Sequence, residues 1–203
     1  MKRDIEFLFE IGSMANVPRG WRQHLAMDCM SNLEHSFRVA LIALILARME
    51  DLRGDEDGPA KNEEKILKMA LFHDVSETRT SDLSYVQKVY VKPNEELAIF
   101  DIFAGTILTD MRTTIVKEYE ERKTPEAQIV KDADNLDLDI ELKELEERGS
   151  KLREKWAAIR RKVRDEKLYT QSARDLWDAL QDADVSSWHL ATNKLLKVPS
   201  AGK

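Results

Sequence analysis

A histidine and an aspartate, His73 and Asp74, directly follow the apolar stretch Ile66-Leu67-Lys68-Met69-Ala70-Leu71-Phe72. An imidazole beside a carboxylate is costly to bury, and such groups leave water only when something pairs with them. A divalent cation offsets that cost best, because one ion satisfies several lone pairs together. The fold is constrained accordingly: it must bring further donors to the end of this segment. His35, on another apolar helix, is one candidate. An aspartate of the run Lys131-Asp132-Ala133-Asp134-Asn135 is the other.

The rest of the pattern is helical. Leu33, Phe37, Ala40, Leu41, Leu44, Ile45 and Met49 recur mostly at three- and four-residue steps, which predicts a helix from Leu33 to Glu50. A short helix from Ile5 to Ile11 precedes it, stopped by Gly12, and a charged loop with Gly54, Gly58 and Pro59 follows over Asp51 to Lys61. Asn62 reads as the N-cap of a helix that carries His73-Asp74 and fades around Thr78 to Asp82. Asn94 to Tyr119 reads as one or two helices with Gly105 as a weak point. Thr124-Pro125 reads as an N-cap with proline at the first helical position. Beyond Gly149, Trp156, Ile159 and Val163 continue at helical spacing, and the charged run Glu141 to Glu154 reads as a solvated face. No strand-like alternation of useful length occurs, so the expected class is all-α.

Bulk composition excludes some functions. A net charge of −6 over 203 residues is not that of a chain that wraps a nucleic acid polymer by electrostatics. The longest strongly apolar run, Val39 to Ala47, is too short to span a membrane, and Met1 to Asp4 opens no signal peptide. Cys29 is the sole cysteine, so no internal disulfide forms and a reducing cytoplasm is expected.

Two imidazoles and two carboxylates form a hard-to-borderline donor set, which admits manganese, cobalt, iron, magnesium, nickel or zinc. Glu77 lies four residues after His73, hence on the same face of a helix and near any water such an ion activates.

Leu33-Glu34-His35-Ser36-Phe37-Arg38-Val39-Ala40, Leu71-Phe72-His73-Asp74-Val75-Ser76-Glu77, Ser81-Asp82-Leu83 and Ala133-Asp134-Asn135-Leu136 resemble, in order, the motifs of HD-domain metal-dependent phosphohydrolases. They look most like the 5′-deoxynucleotidase branch, which removes phosphate from deoxyribonucleoside 5′-monophosphates, and Pro18-Arg19-Gly20-Trp21 resembles that branch's Arg-Trp element. The resemblance covers Ile5 to Glu147. It implies a single-domain HD-type helical bundle over residues 1–150; residues 151–203 lie outside the resemblance and read as a helical extension packed on the same domain. It further implies that His35, His73, Asp74 and Asp134 hold the metal and that Glu77 positions or deprotonates the attacking water. Asp82 would meet the sugar 3′-hydroxyl, Arg19 the phosphate and Trp21 the nucleoside, with a homodimer as the assembly.

Some features depart from the branch. Its usual glycine before Asp82 is Ser81 here, and Arg22 to Met30 is unlike its usual lead-in. A deoxynucleoside triphosphate triphosphohydrolase, or a hydrolase of another small phosphate ester, would use the same centre. A nucleotide-sensing module without turnover, or a plain helical interaction protein, belongs to another class. Among the remaining residues, Asp132 reads as a surface acid or an outer partner, Asp137 as a cap or lysine partner, and His24 as a solvent-facing loop residue.

Overall fold

Two long helices, α2 (Asn32–Arg53) and α7 (Pro125–Glu147), run against each other through the centre of the fold. In the computed structural model, which describes residues 1–25, 27–54 and 60–192, α3 (Glu63–Phe72) packs on both of them. Around this core lie α1 (Lys2–Gly12), α4 (Glu77–Thr80), α5 (Glu95–Phe103), α6 (Lys117–Glu121), α8 (Leu152–Glu166), α9 (Gln171–Asp182) and α10 (Ser187–Thr192). Among the described residues there is no strand, and the all-α expectation holds.

Side-chain caps fix where the central helices begin. The Ser31 hydroxyl accepts the Glu34 amide while the Glu34 carboxylate accepts the Ser31 amide at 2.8 Å, a closed capping box. Asn62, Asn94 and Thr124 each accept an amide three residues on, and Pro125 occupies the first turn of α7.

Several boundaries differ from the sequence reading. Gly12 keeps right-handed helical geometry, so α1 tightens into a 3₁₀ turn instead of stopping. Helix α2 runs to Arg53, beyond the expected Glu50, while Gly58 and Pro59 lie outside the described residues. The larger difference is at His73. In a continuing helix the Ala70 carbonyl would accept the Asp74 amide; here it accepts His73 Nδ1–H at 2.8 Å. The chain turns over His73–Ser76 and restarts as α4, placing the pair at a break between helices.

Helix α7 is packed on several sides, which corrects the solvated reading of Glu141 to Glu154 over its first part, to Leu145; Glu147, Arg148, Lys151 and Glu154 are exposed as expected. Glu141 and Lys143 are buried, and Glu144 pairs with Arg38. Asp139 takes two hydrogen bonds from Arg160 of α8, at 2.9 and 2.7 Å. Asp132 is likewise no surface acid: it accepts the Tyr169 and Thr170 amides and the Thr170 hydroxyl, building the entry to α9. Leu168, Ala173 and Trp177 join the same apolar core as Val39, Leu46, Ile129 and Leu136.

Candidate metal centre

Three elements aim four side chains at one point. His35 projects from the first turn of α2, His73 and Asp74 from the break after α3, and Asp134 from the middle of α7. One ligand atom from each lies within 4.8 Å of all the others. His35 Nε2 is 3.2 Å from His73 Nε2, 3.4 Å from Asp74 Oδ2 and 3.2 Å from Asp134 Oδ1; His73 Nε2 is 3.2 Å from Asp74 Oδ2. Donors about 2.1 Å from a shared ion stand roughly 3 to 4 Å from one another, which these separations match.

Proton placement carries the stronger argument. His35 Nδ1 faces the Asp137 carboxylate at 2.6 Å and His73 Nδ1 faces the Ala70 carbonyl at 2.8 Å. Each Nδ1 therefore carries its hydrogen, and both Nε2 lone pairs turn towards each other and towards two carboxylates. Such an arrangement repels itself unless positive charge sits inside it. Burial and Arg19 oppose protonation of His35, yet Asp134, Asp137 and Asp74 outweigh them and raise its pKa well above the usual value. Burial would raise Asp74 too, but the His73 and His35 rings hold it well below the ordinary carboxylate range. For Asp134, Lys131 and His35 likewise overcome burial and keep the carboxyl ionised. A single proton satisfies this cluster in part; a divalent cation matches all four donors.

Arg19 reaches the same cluster. Its Nη1 lies 3.3 Å from Asp74 and 3.1 Å from Asp82, and these acids, against the cost of burial, keep it firmly cationic. Asp82 also accepts the Gly20 amide at 3.0 Å. A side chain at Gly20 would place Cβ 2.4 Å from the Asp82 carbonyl, so only glycine lets these two segments approach so closely. Ser81 adopts φ +61°, a conformation that favours glycine, which is the residue type the resemblance expects there. Glu77 is hydrogen-bonded by Asn32 Nδ2, and burial first, then Asp74 and Asp82, raise its pKa to about 9 in the metal-free protein.

Beside the cluster opens a cleft of about 470 Å³ bordered by Arg19, Arg22, Gln23, Ser81, Asp82 and Gln87. Trp21 does not line it. Its indole is buried with Leu142 and Leu145 and packs on Trp156, because the 3₁₀ turn at Gly20–His24 turns the ring towards α7 and α8. His24 is not a free loop residue either; it stacks on Tyr85 with ring centroids 5.2 Å apart.

The sequence reading passed over the supports. Asp137 neither caps nor meets a lysine: it bridges His35 and Arg38, whose Nη1 also meets Glu144. One signal was available, since Asp137 follows Asp134 by three residues and shares its helical face. Lys131 Nζ holds the second oxygen of Asp134 at 2.5 Å. Asp137→Ala should leave the four ligands in place but weaken divalent-metal affinity about 10- to 100-fold, read by competitive titration against a chromogenic chelator.

The HD domain family model matches residues 11–182, reaching through α8 and α9. The 5′-deoxynucleotidase HDDC2 of Dictyostelium discoideum is 28% identical over 162 residues, 76% of this chain and 84% of that protein. The 5′-deoxynucleotidase HDDC2 of Danio rerio is 30% identical over 154 residues, 72% of each. A solved structure from Pyrococcus horikoshii superposes with a TM-score of 0.71 at 30% identity, covering 87% of this chain and 97% of that one.

Proposed function

The chain belongs to the HD domain family, and on that premise we propose that it is a metal-dependent phosphohydrolase, a 5′-deoxynucleotidase converting deoxyribonucleoside 5′-monophosphates to deoxynucleoside and phosphate. The observation that carries the reading is the convergence of two imidazole Nε2 atoms and two carboxylates, with a part-buried carboxyl, Glu77, beside them. A divalent cation held by His35, His73, Asp74 and Asp134 supplies Lewis acidity towards a phosphoryl oxygen and an attacking water.

The chain's own residues do the rest. Glu77, anchored by Asn32, orients the water and takes its proton as the new P–O bond forms. The bond to the sugar 5′-oxygen breaks, that oxygen takes a proton from solvent, and Glu77 releases its own to solvent. Arg19 offsets charge building on the phosphoryl oxygens and is held in place by Asp74 and Asp82. Asp82 accepts the sugar 3′-hydroxyl, and the cleft beyond it takes the nucleoside. Trp21 acts by packing, keeping the Arg19–Gly20 segment against α7. The substrate is a small molecule and not a polymer, in keeping with the cleft's size and the net charge of −6. The assembly is a homodimer and the setting cytoplasmic. Among the described residues no helix is long and apolar enough to cross a membrane.

Metal-stripped protein incubated with manganese or cobalt and a panel of deoxy- and ribonucleotides, mono- to triphosphate, tests this reading. Phosphate released from deoxynucleoside monophosphates alone is the expected result. Release of intact triphosphate would overturn it in favour of a triphosphohydrolase. Tight binding without turnover across metals would overturn it in favour of a sensor.

A further inference from the structure

Between Val39 and Ala47 helix α2 is apolar all round. Val39, Ala40, Ile42, Ala43, Leu46 and Ala47 are buried, yet Leu33, Phe37, Leu41 and Ile45 are 39%, 66%, 47% and 52% exposed. These four form one outward ridge at four-residue steps, on the side of α2 away from its buried face. Alongside the ridge runs an apolar groove of about 680 Å³, closed on its far side by Ile11, Met14, Leu71 and Phe72. A contiguous apolar surface of this kind marks an interaction site.

The charges at its ends identify the occupant. Glu34 stands seven residues before Leu41 and Arg48 seven after it, while Phe37 and Ile45 stand four before and four after. An antiparallel second copy centred on Leu41 would therefore set Phe37 against Ile45, Leu41 against Leu41, and Glu34 against Arg48 at both ends. The Phe37–Ile45 and Glu34–Arg48 contacts each occur twice and the Leu41 pair sits once on the axis, as a two-fold interface demands. Both charged groups are available for it. Glu34 uses one carboxylate oxygen, Oε2, in the capping box, and no partner of Oε1 occurs among the described residues. Arg48 is 71% exposed, and its pair with Glu63 is of the surface kind that rearranges at little cost. A lipid surface would find an acid at one end of the ridge, and a parallel copy would set like charges together.

We infer that the outward ridge of α2, Glu34-Phe37-Leu41-Ile45-Arg48, is the two-fold interface through which the protein pairs with a second copy of itself. The inference rests on the homodimer of the proposed function and names its surface. It places each dimer contact on the helix whose opposite face carries His35.

Sedimentation of the full chain, with circular dichroism as the check on folding, tests it together with cross-linking. Leu41→Glu sets two carboxylates across the axis and should weaken association about 100-fold or more without loss of helix. Leu41→Cys, introduced alongside Cys29→Ser, should oxidise to a covalent dimer, because Leu41 meets its own copy. Under the same conditions Phe37→Cys should cross-link only when mixed with Ile45→Cys. A wild-type dimer that survives Leu41→Glu and gives no Leu41→Cys cross-link would overturn this surface while leaving the homodimer standing. A wild-type monomer at all concentrations would overturn both.

Discussion

Asp134→Asn is expected to lower hydrolase activity by about 10³-fold or more, with His73→Ala doing the same, while helix content stays near that of the wild type. The magnitude follows from losing several kcal/mol of transition-state stabilisation when the cation is no longer held. The chain of support is direct: Asp134 Oδ1 faces His35 Nε2 at 3.2 Å, and removing its charge leaves two imidazoles and one carboxylate to hold a divalent ion. Asp132 is the informative control, two residues away on the same helix. It points into the start of α9 and accepts three hydrogen bonds there. Asp132→Ala should keep activity and metal content but lose about 1 to 3 kcal/mol of stability, since buried donors are left unpaired. At roughly 2 to 4 °C per kcal/mol for a chain of this length, the melting temperature should fall visibly. Activity retained in Asp134→Asn and lost in a folded Asp132→Ala would reverse the two assignments.

How much of this was legible in the sequence depended on whether neighbours along the chain settle the question. Caps did: Asn62 and Thr124-Pro125 mark helix starts by local chemistry, and both helices begin there. The convergence of His35, His73, Asp74 and Asp134 was readable because each sits in a short motif with a fixed order. The supports were not. Asp132, Asp134, Asp137, Asp139 and Glu141 look alike in a row, and only the segments packed around α7 give each a different partner. The apolar stripe of α2 marked the helix but not its buried face, for a related reason. Where a helix is apolar on every side, periodicity cannot say which face is buried, and Phe37, Leu41 and Ile45 turned out to point outward. Trp21 shows the limit of carrying over a role by motif. The Arg19 side chain reaches the metal cluster, yet two positions later the ring has rotated into the core.

Glu77→Gln is expected to reduce turnover by 10²- to 10⁴-fold, the range for losing a positioned general base, with metal affinity nearly unchanged. Glutamine keeps the size of the side chain and an oxygen to accept from Asn32, so the loss isolates the proton-accepting role. The same substitution makes an independent prediction about stability. In the metal-free protein burial and the Asp74 and Asp82 charges raise the Glu77 carboxyl to about 9, whereas in the unfolded chain it titrates near its ordinary value of about 4.3. Between those two values the native protein holds a proton that the unfolded chain has released, so rising pH favours unfolding. The melting temperature of the metal-free protein should therefore fall as pH rises from about 4.5 towards 9, and Glu77→Gln should flatten that descent. Added manganese should flatten it as well, because a cation beside the carboxylate stabilises its charged form and removes the reason for the raised pKa. A wild-type profile already flat without metal, or an equal slope in Glu77→Gln, would mean that Glu77 is ionised in the resting site and that its proton affinity is not what makes it a base.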